Sequence, residues 1–554
     1  MLDVRTSEGA GVAPRLGRTL PLLTLAAVPP ALEAAVLAAL SFYSASGLAP
    51  QATAVWPYDS YHDLRWLLVY HNSWSMFLLG LLAVTAVRGL LSAWMTGLAW
   101  PAHTPRPSYR WLIRRNIEVA ALATVIISPW AALAVAYSAV ALSWYLLASL
   151  LPMLVLAPFL ARGGVVSRWW RGLPSAALFG WSLLNFVVLT AAGAIMSAVP
   201  LWWGVPIAAA AGAANGLLWR STVAAAAFQA PVRLQRVPVA PLAIVVTMAG
   251  SVFAEAGVGI AAGGSGDWRA PVLTEHLEER IPYAVIAIAG HDSSYDGRPA
   301  VDPRVERFSY RGLDDRERPL PYQPQDTHQS VGSSAALLSQ HIDSLQRRTG
   351  RPVALLGESE GAMVARMYLE RWPESPVDAV IMFSPLTRPG RVYYPPAGYD
   401  GWGVVAGWEL RLVAALSNLT KEVDSDPDEP FVRSVLADAP FYRNRTLCPV
   451  AGVRMIAYLP TVSAVEAPPG EYSRIPTVEV PGLHAFPLDQ ALVQETVMAF
   501  LANEPVDRPR REYRLFQHLG AAWQAPPLAI GLNPIWSANR EADPAFSGRI
   551  CEAQ

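Results

Sequence analysis

Long apolar runs dominate the first half of the chain, and short apolar runs alternating with polar stretches dominate the second. Runs near 20–42, 67–87, 117–136, 140–161, 174–197, 201–219 and 239–262 each predict a membrane-crossing helix, because a bilayer core about 30 Å thick takes roughly 20 apolar residues. The continuous stretches 117–161 and 174–219 are too long for one crossing each, so each predicts two. The pattern changes after AGGSGDWRAP (262–271), which reads as a linker. IPYAVIAIAG (281–290), VERFSYRG (305–312), RPVALLGESEG (351–361), VDAVIMFSP (377–385), GVRMIAYLP (452–460) and IPTVEVPG (475–482) read as strands. SSAALLSQHIDSLQRRTG (333–350) and AMVARMYLERW (362–372) read as helices, the first stopped by Gly350. Strand–helix alternation predicts a mostly parallel sheet with helices on its faces. The expected organisation is an all-α bundle of about seven transmembrane helices over 1–264 and an α/β domain over 265–554.

Charge sharpens this division. The 554 residues are 53% hydrophobic and 16% charged, against about 25% charged in soluble chains. Residues 1–264 hold 15 Arg and 7 acidic residues, and the remainder holds 28 basic and 37 acidic ones. The halves therefore carry +8 and −9, giving the chain its net −1. An acidic polar half argues against nucleic acid as a partner, and composition excludes collagen, coiled coil and disorder. Positive residues favour the cytoplasmic side. Placing Arg5, Arg15, Arg18, Arg88, Arg106, Arg110, Arg114, Arg115, Arg162, Arg168, Arg171, Arg220, Arg233 and Arg236 inside leaves only Arg65 outside. That arrangement predicts a cytoplasmic N-terminus, a multi-pass protein of the plasma membrane, and an extracytoplasmic second half. The first apolar run exceeds the usual length of a signal-peptide core and contains Pro29-Pro30, so it is expected to be retained.

Polar residues in the membrane half invite functional readings. Asp59, His62 and Asp63 in the loop 48–66 have metal-ligand chemistry, but the surrounding WPYDSYHDLRW is expected to be an interfacial aromatic belt. Glu33, Glu118 and Glu255 lie in or near helices; Glu118 sits beside Arg114 and Arg115 and is expected at the interface, while a paired structural role is expected for Glu255.

The chemistry-bearing motif is Gly357-Glu358-Ser359-Glu360-Gly361, a G-x-S-x-G between the apolar strand VALL and a helix. In that context the pentapeptide reads as a nucleophile elbow: the glycines allow a sharp turn that lifts Ser359 above the sheet edge, at the positive end of the next helix. With IAIAGHDSS, FSYRGLD, GRPVALLGESEGAMVARMYLERWP and EVPGLHAFP following in order, residues 281–503 resemble the α/β-hydrolase superfamily, in particular its lipases and esterases. The usual leading strands of that sheet look absent. The resemblance implies Ser359 as nucleophile and His484 as its base, with an oxyanion hole from the Glu360 N–H and a donor at His291 or Asp292. His291 is also a rival base, although its place in the first-strand loop argues against it.

Two features depart from the family pattern. Where an acid normally orients the histidine, the chain reads LPTVSAVEAPPGE, with Ser463 at the expected place and Glu466 and Glu471 as the nearest carboxylates. Glu466 is the expected acid; Ser463 and the acidic-run residues Asp424, Asp426 and Asp428 are its rivals. Glu360 beside the nucleophile would oppose an oxyanion unless its side chain points away. Residues 385–449 are expected to form a lid, and 504–554 a tail. Cys448 and Cys551 both fall in the second half, where they can pair; closing so long a loop contributes up to ~4.7 kcal/mol in the chain-entropy treatment. No metal-ligand spacing is found, no cofactor is expected, and the expected partners are the lipid bilayer and a membrane lipid or other acyl-ester substrate. The expected activity is serine hydrolysis of such esters. Acyl transfer on the same site, or sensing or transport by a non-catalytic domain, are the alternatives.

Overall fold

The computed structural model describes residues 13–137, 143–228, 237–248, 271–386, 404–417, 428–438, 441–442, 445–466, 473–482, 484, 490–506, 512–526 and 551. The N-terminal region is helical. Among the described residues, four helical stretches, not seven, are long and apolar enough to cross a membrane: Gly17–Ala39 within α1 (Ala13–Ala39), α3 (Trp74–Ala99), α6 (Ala176–Ala198), and Leu201–Ala227, a 3-10 turn followed by α7 (Gly204–Ala227). The expected crossing at 117–136 belongs to α4 (Tyr109–Tyr137), whose first turns carry Arg110, Arg114, Arg115 and Glu118. That at 140–161 belongs to α5 (Ser143–Gly163), which contains Pro152 and Pro158. The last expected crossing is described over α8 (Val239–Met248) alone; Glu255 and the expected boundary at 264 lie outside the described residues.

The expected helix 67–87 is split. α2 (Tyr58–Val69) ends before Ser73 caps the start of α3, its hydroxyl accepting from the Met76 N–H. Arg88 therefore lies inside α3 rather than at a cytoplasmic end, and it is 7% exposed. Residues 43–69 do not form an interfacial belt. Trp56, Tyr58, Asp59, Tyr61 and Arg65 are all buried among the helices, and Tyr43–Thr53 adopts a 3-10 conformation. Irregular backbone among apolar helices needs internal partners. Asn185 of α6 accepts from the Val55 N–H at 3.0 Å, Asn215 of α7 donates to the Pro50 carbonyl at 2.9 Å, and Trp219 donates to the Thr53 carbonyl at 3.1 Å. The charges pair as well. Arg88 grips Asp63 with two guanidinium nitrogens, and His62 lies 2.9 Å from both Glu33 and Asp63.

The second half folds as an α/β unit. Its six strands are β1 (Ala284–Ile288), β2 (Val305–Arg307), β3 (Val353–Glu358), β4 (Val377–Phe383), β5 (Arg454–Pro460) and β6 (Thr477–Val480). All pairings are parallel, in the order β2-β1-β3-β4-β5-β6. One face is covered by α9 (Val331–Thr349) and α10 (Glu360–Arg371), which bury Leu338, Ile342, Met363 and Val364 against Ile286 and Leu355. The other is covered by α13 (Ala491–Leu501) through Val493, Val497 and Phe500. Residues between β4 and β5 form α11 (Val404–Ser417) and α12 (Pro430–Ala437). The chain leaves β1 toward the β2 edge and leaves β3 toward β4, so the order reverses between β1 and β3. A crevice opens at the carboxyl ends of strands at such a point.

Two segments join the halves. Val404, Val405 and Ala406 of α11 belong to the bundle's apolar core, and the Val405 N–H donates to His71 Nε2 at 2.9 Å. The described stretch 512–526 of the expected tail packs into the bundle. After α14 (Glu512–Gly520), residues 521–525 are buried, Trp523 stacks on Phe186 at 4.5 Å, and Arg65 donates to the Gln524 carbonyl at 2.6 Å. Cys448 and Cys551 form a disulfide, with Cα atoms 5.4 Å apart.

Candidate functional site

The crevice between β1 and β3 is lined by two tight connections. Register pairs Ile288 of β1 with Gly357 of β3, so the loop after β1 and the turn after β3 lie side by side. Ser359 occupies that turn at φ 50°, ψ −110°, a region a non-glycine residue enters only when its surroundings impose it. Here the Ser359 N–H is tied to the Phe383 carbonyl at 2.9 Å, and α10 begins at the next residue. Gly357 and Gly361 let the turn close: a Cβ on Gly357 would meet the Gly361 backbone, and one on Gly361 would run into the Ile288 carbonyl.

His484 reaches the same point from the connection after β6. Its Nε2 lies 2.9 Å from Ser359 Oγ. The buried Ser384 hydroxyl, just beyond β4, donates to the His484 carbonyl and fixes that backbone. Burial pushes the His484 imidazole down to about 4. Among the described residues, no carboxylate reaches its Nδ1. Glu466 ends the 3-10 turn Thr461–Glu466, directly after β5, but its side chain and that of Ser463 lie outside the described residues, as does Glu471. Asp428 is committed elsewhere, to Arg411 at 3.2 Å and to Arg433. Asp424 and Asp426 lie outside the described residues.

Of the two expected donors in the β1 loop, Asp292 is spoken for: its N–H donates to Thr327 Oγ1 at 3.0 Å. The loop itself is pinned by Tyr310, whose hydroxyl donates to the Ala289 carbonyl at 2.7 Å. Gly290 is close enough to this serine that a Cβ there would lie 3.2 Å from Ser359 Cβ. The N–H groups of His291 and Glu360 are thus the backbone donors nearest in sequence to this contact. The Glu360 side chain is fully buried and turns to His291 Nδ1, 3.0 Å away. Burial raises its carboxyl to about 7, so the negative charge beside Ser359 is both redirected and weakened.

His291 serves Glu360 and not Ser359, and it belongs to a second cluster. His328, in the 3-10 turn Pro324–His328, puts Nε2 2.8 Å from Asp292 Oδ1. Glu429, just before α12, sets one oxygen 3.2 Å from His291 Nε2 and the other 2.8 Å from His328 Nδ1. The two imidazoles stack at 4.7 Å, and Phe431 stacks on the other face of His291 at 4.5 Å. Burial disfavours the His291 imidazolium, but Glu360 and Glu429 outweigh it and hold the group at about 10. Asp292 and Glu429 raise His328 to about 9. Sequence reasoning missed His328 and Glu429. No local motif marks either; only the fold brings the turn at 324–328 and the start of α12 to the β1 loop.

Chemically, the Ser359–His484 contact can pass a hydroxyl proton to an imidazole, leaving an alkoxide facing backbone N–H groups. Comparison with protein-family models, curated proteins and solved structures finds no match.

Proposed function

We propose that this protein is a membrane-bound serine hydrolase acting on carboxylic esters, with lipid or cell-envelope acyl esters as the substrate class. One observation carries the reading: a serine held in a strained strand-to-helix turn, with its hydroxyl 2.9 Å from a half-buried imidazole. Ser359 attacks the ester carbonyl while His484 takes its proton. The tetrahedral oxyanion is met by backbone N–H groups of Glu360 and His291, and collapse expels the alcohol, which receives the proton from His484. Water then resolves the acyl-enzyme by the same relay; a sugar or lipid hydroxyl in its place makes the reaction acyl transfer. Glu466 is the acid we assign to the imidazole, from its place just after β5. The apolar helices support a site working beside a bilayer, and the arginine distribution supports an extracytoplasmic hydrolase domain with the N-terminus inside.

A second reading, a non-catalytic domain that senses or binds, is favoured by the lack of a described carboxylate at His484. Turnover of p-nitrophenyl esters of increasing acyl length by the purified full-length protein separates the two. The hydrolase reading expects turnover that falls by about 10³-fold or more in Ser359→Ala. Turnover unchanged in that variant, or absent from the parent at every chain length, contradicts it.

A further inference from the structure

The cluster beside the candidate nucleophile holds three carboxylates, Glu360, Asp292 and Glu429, around two imidazoles. With neutral imidazoles its charge is −3, so it calls for positive charge from two protons or one divalent ion. The hydrogen-bond geometry bears on which. His291 Nδ1 is properly bonded to Glu360, and His328 Nε2 to Asp292. The contacts to Glu429 are different. Its Oε2 is 2.8 Å from His328 Nδ1, yet no hydrogen-bond donor is aligned with that oxygen, although the residue is only 7% exposed. Glu360 Oε1, fully buried, has no hydrogen-bond partner either. A fully buried carboxylate oxygen without a partner, beside a second that meets its imidazole only as an ion pair, is an arrangement that a cation would complete. Donor atoms of His291, Asp292 and His328 fall within 4.8 Å of one another.

The geometry points to a divalent transition-metal site formed by His291, Asp292 and His328 and completed by Glu429 from the segment between β4 and β5. Imidazole donors favour zinc-like ions over magnesium or calcium. Glu360 is then the outer carboxylate that orients a ligating histidine, holding Nδ1 so that Nε2 faces the ion. Because an ion lies in the plane of each ring that binds it, loading turns one imidazole out of the present stack. Glu429 precedes α12, and Asp428 beside it is tied to Arg411 of the bundle-docked α11. The ion therefore fastens that segment to the loop beside Ser359. The ligands are partly open: His291 retains 28% and Asp292 47% of side-chain exposure, so the site can be loaded and stripped.

This inference is independent of the hydrolase reading, and so is its test. Full-length protein in detergent, stripped with chelator and dialysed, is titrated with Zn²⁺ and assayed by elemental analysis, with Co²⁺ absorption as a second readout. The expected result is one equivalent bound, retained by Ser359→Ala and lost by His328→Ala and by the near-isosteric Asp292→Asn; Glu429→Gln should weaken it at least tenfold. Asp292→Asn keeps the test decisive if His328→Ala does not fold. No bound equivalent in the parent, or full stoichiometry in both ligand variants, overturns the site and leaves two protons as the balancing charges.

Discussion

The two halves of this protein treat polar residues in opposite ways. In the sheet domain, Ser359 is placed at the carboxyl edge by a short local segment, a strand, a tight turn and a helix, and meets His484 from a connection 125 residues further on. In the helical half, Glu33, Asp59, His62, Asp63 and Arg88 are drawn inward and satisfied by one another, across 29 residues of sequence in the Glu33–His62 contact and 25 in the Asp63–Arg88 contact. The first arrangement sets a candidate nucleophile at a crevice. The second neutralises charge among helices, where an unpaired ion is costly. Position relative to the core, not residue type, separates a reactive polar group from a structural one.

The sharpest way to break this comparison is to remove the base. His484→Ala should lower ester turnover by about 10³-fold or more with little change in the thermal midpoint; a large loss of stability with modest loss of turnover would make His484 structural. Next is Arg88→Met, which strands the buried Asp63 carboxylate. We expect it to cost about 3–5 kcal/mol, with much of that recovered in Arg88→Met/Asp63→Leu, as read by denaturation in detergent. No recovery would mean that the two residues do not act as a pair. Trp523→Ala should cost a comparable ~3–5 kcal/mol and expose the segment after α14 to protease, because the indole fills the space against Phe186 and donates to Thr190 at 2.9 Å. Unaltered proteolysis would contradict the inserted tail.

Smaller effects sharpen the contrast. The His484 imidazole is held down to about 4 by burial, so it stays neutral and able to accept a proton as pH falls from 8 to 5. On burial alone, turnover should drop only below about pH 4, roughly tenfold per unit. A carboxylate on Nδ1, as the Glu466 assignment requires, raises the imidazole, so that assignment expects the lower limb above pH 4, and a limb at about pH 4 would contradict it. Smallest of all, Ser330→Ala should cost about 1 kcal/mol by removing the cap of α9, whose hydroxyl accepts from the Ser333 N–H, without moving turnover.

What could be read in advance follows the same division. Strands such as 284–288 and 353–358 and the turn at Ser359 are encoded by contiguous apolar runs and glycines, which local patterning carries well. The helix count failed because hydropathy registers composition and not partners. The stretch 56–66 reads as an interfacial belt until Asn185, Asn215 and Arg88 are known to meet it or its neighbours. Arg88 misled for the same reason: charge counting assigns it to an end, whereas Asp63 holds it inside α3. The buried segment 521–525 gave no signal, since AAWQA is apolar enough for any core and its contacts lie hundreds of residues away.

The central claim is that Ser359, activated by His484, is a nucleophile. It is tested most directly by treating the full-length protein with a fluorophosphonate and mapping the adduct by mass spectrometry. The account predicts a single adduct on the peptide containing Ser359, none in Ser359→Ala, and much slower labelling in His484→Ala. Absence of any adduct at Ser359 under native conditions would contradict it.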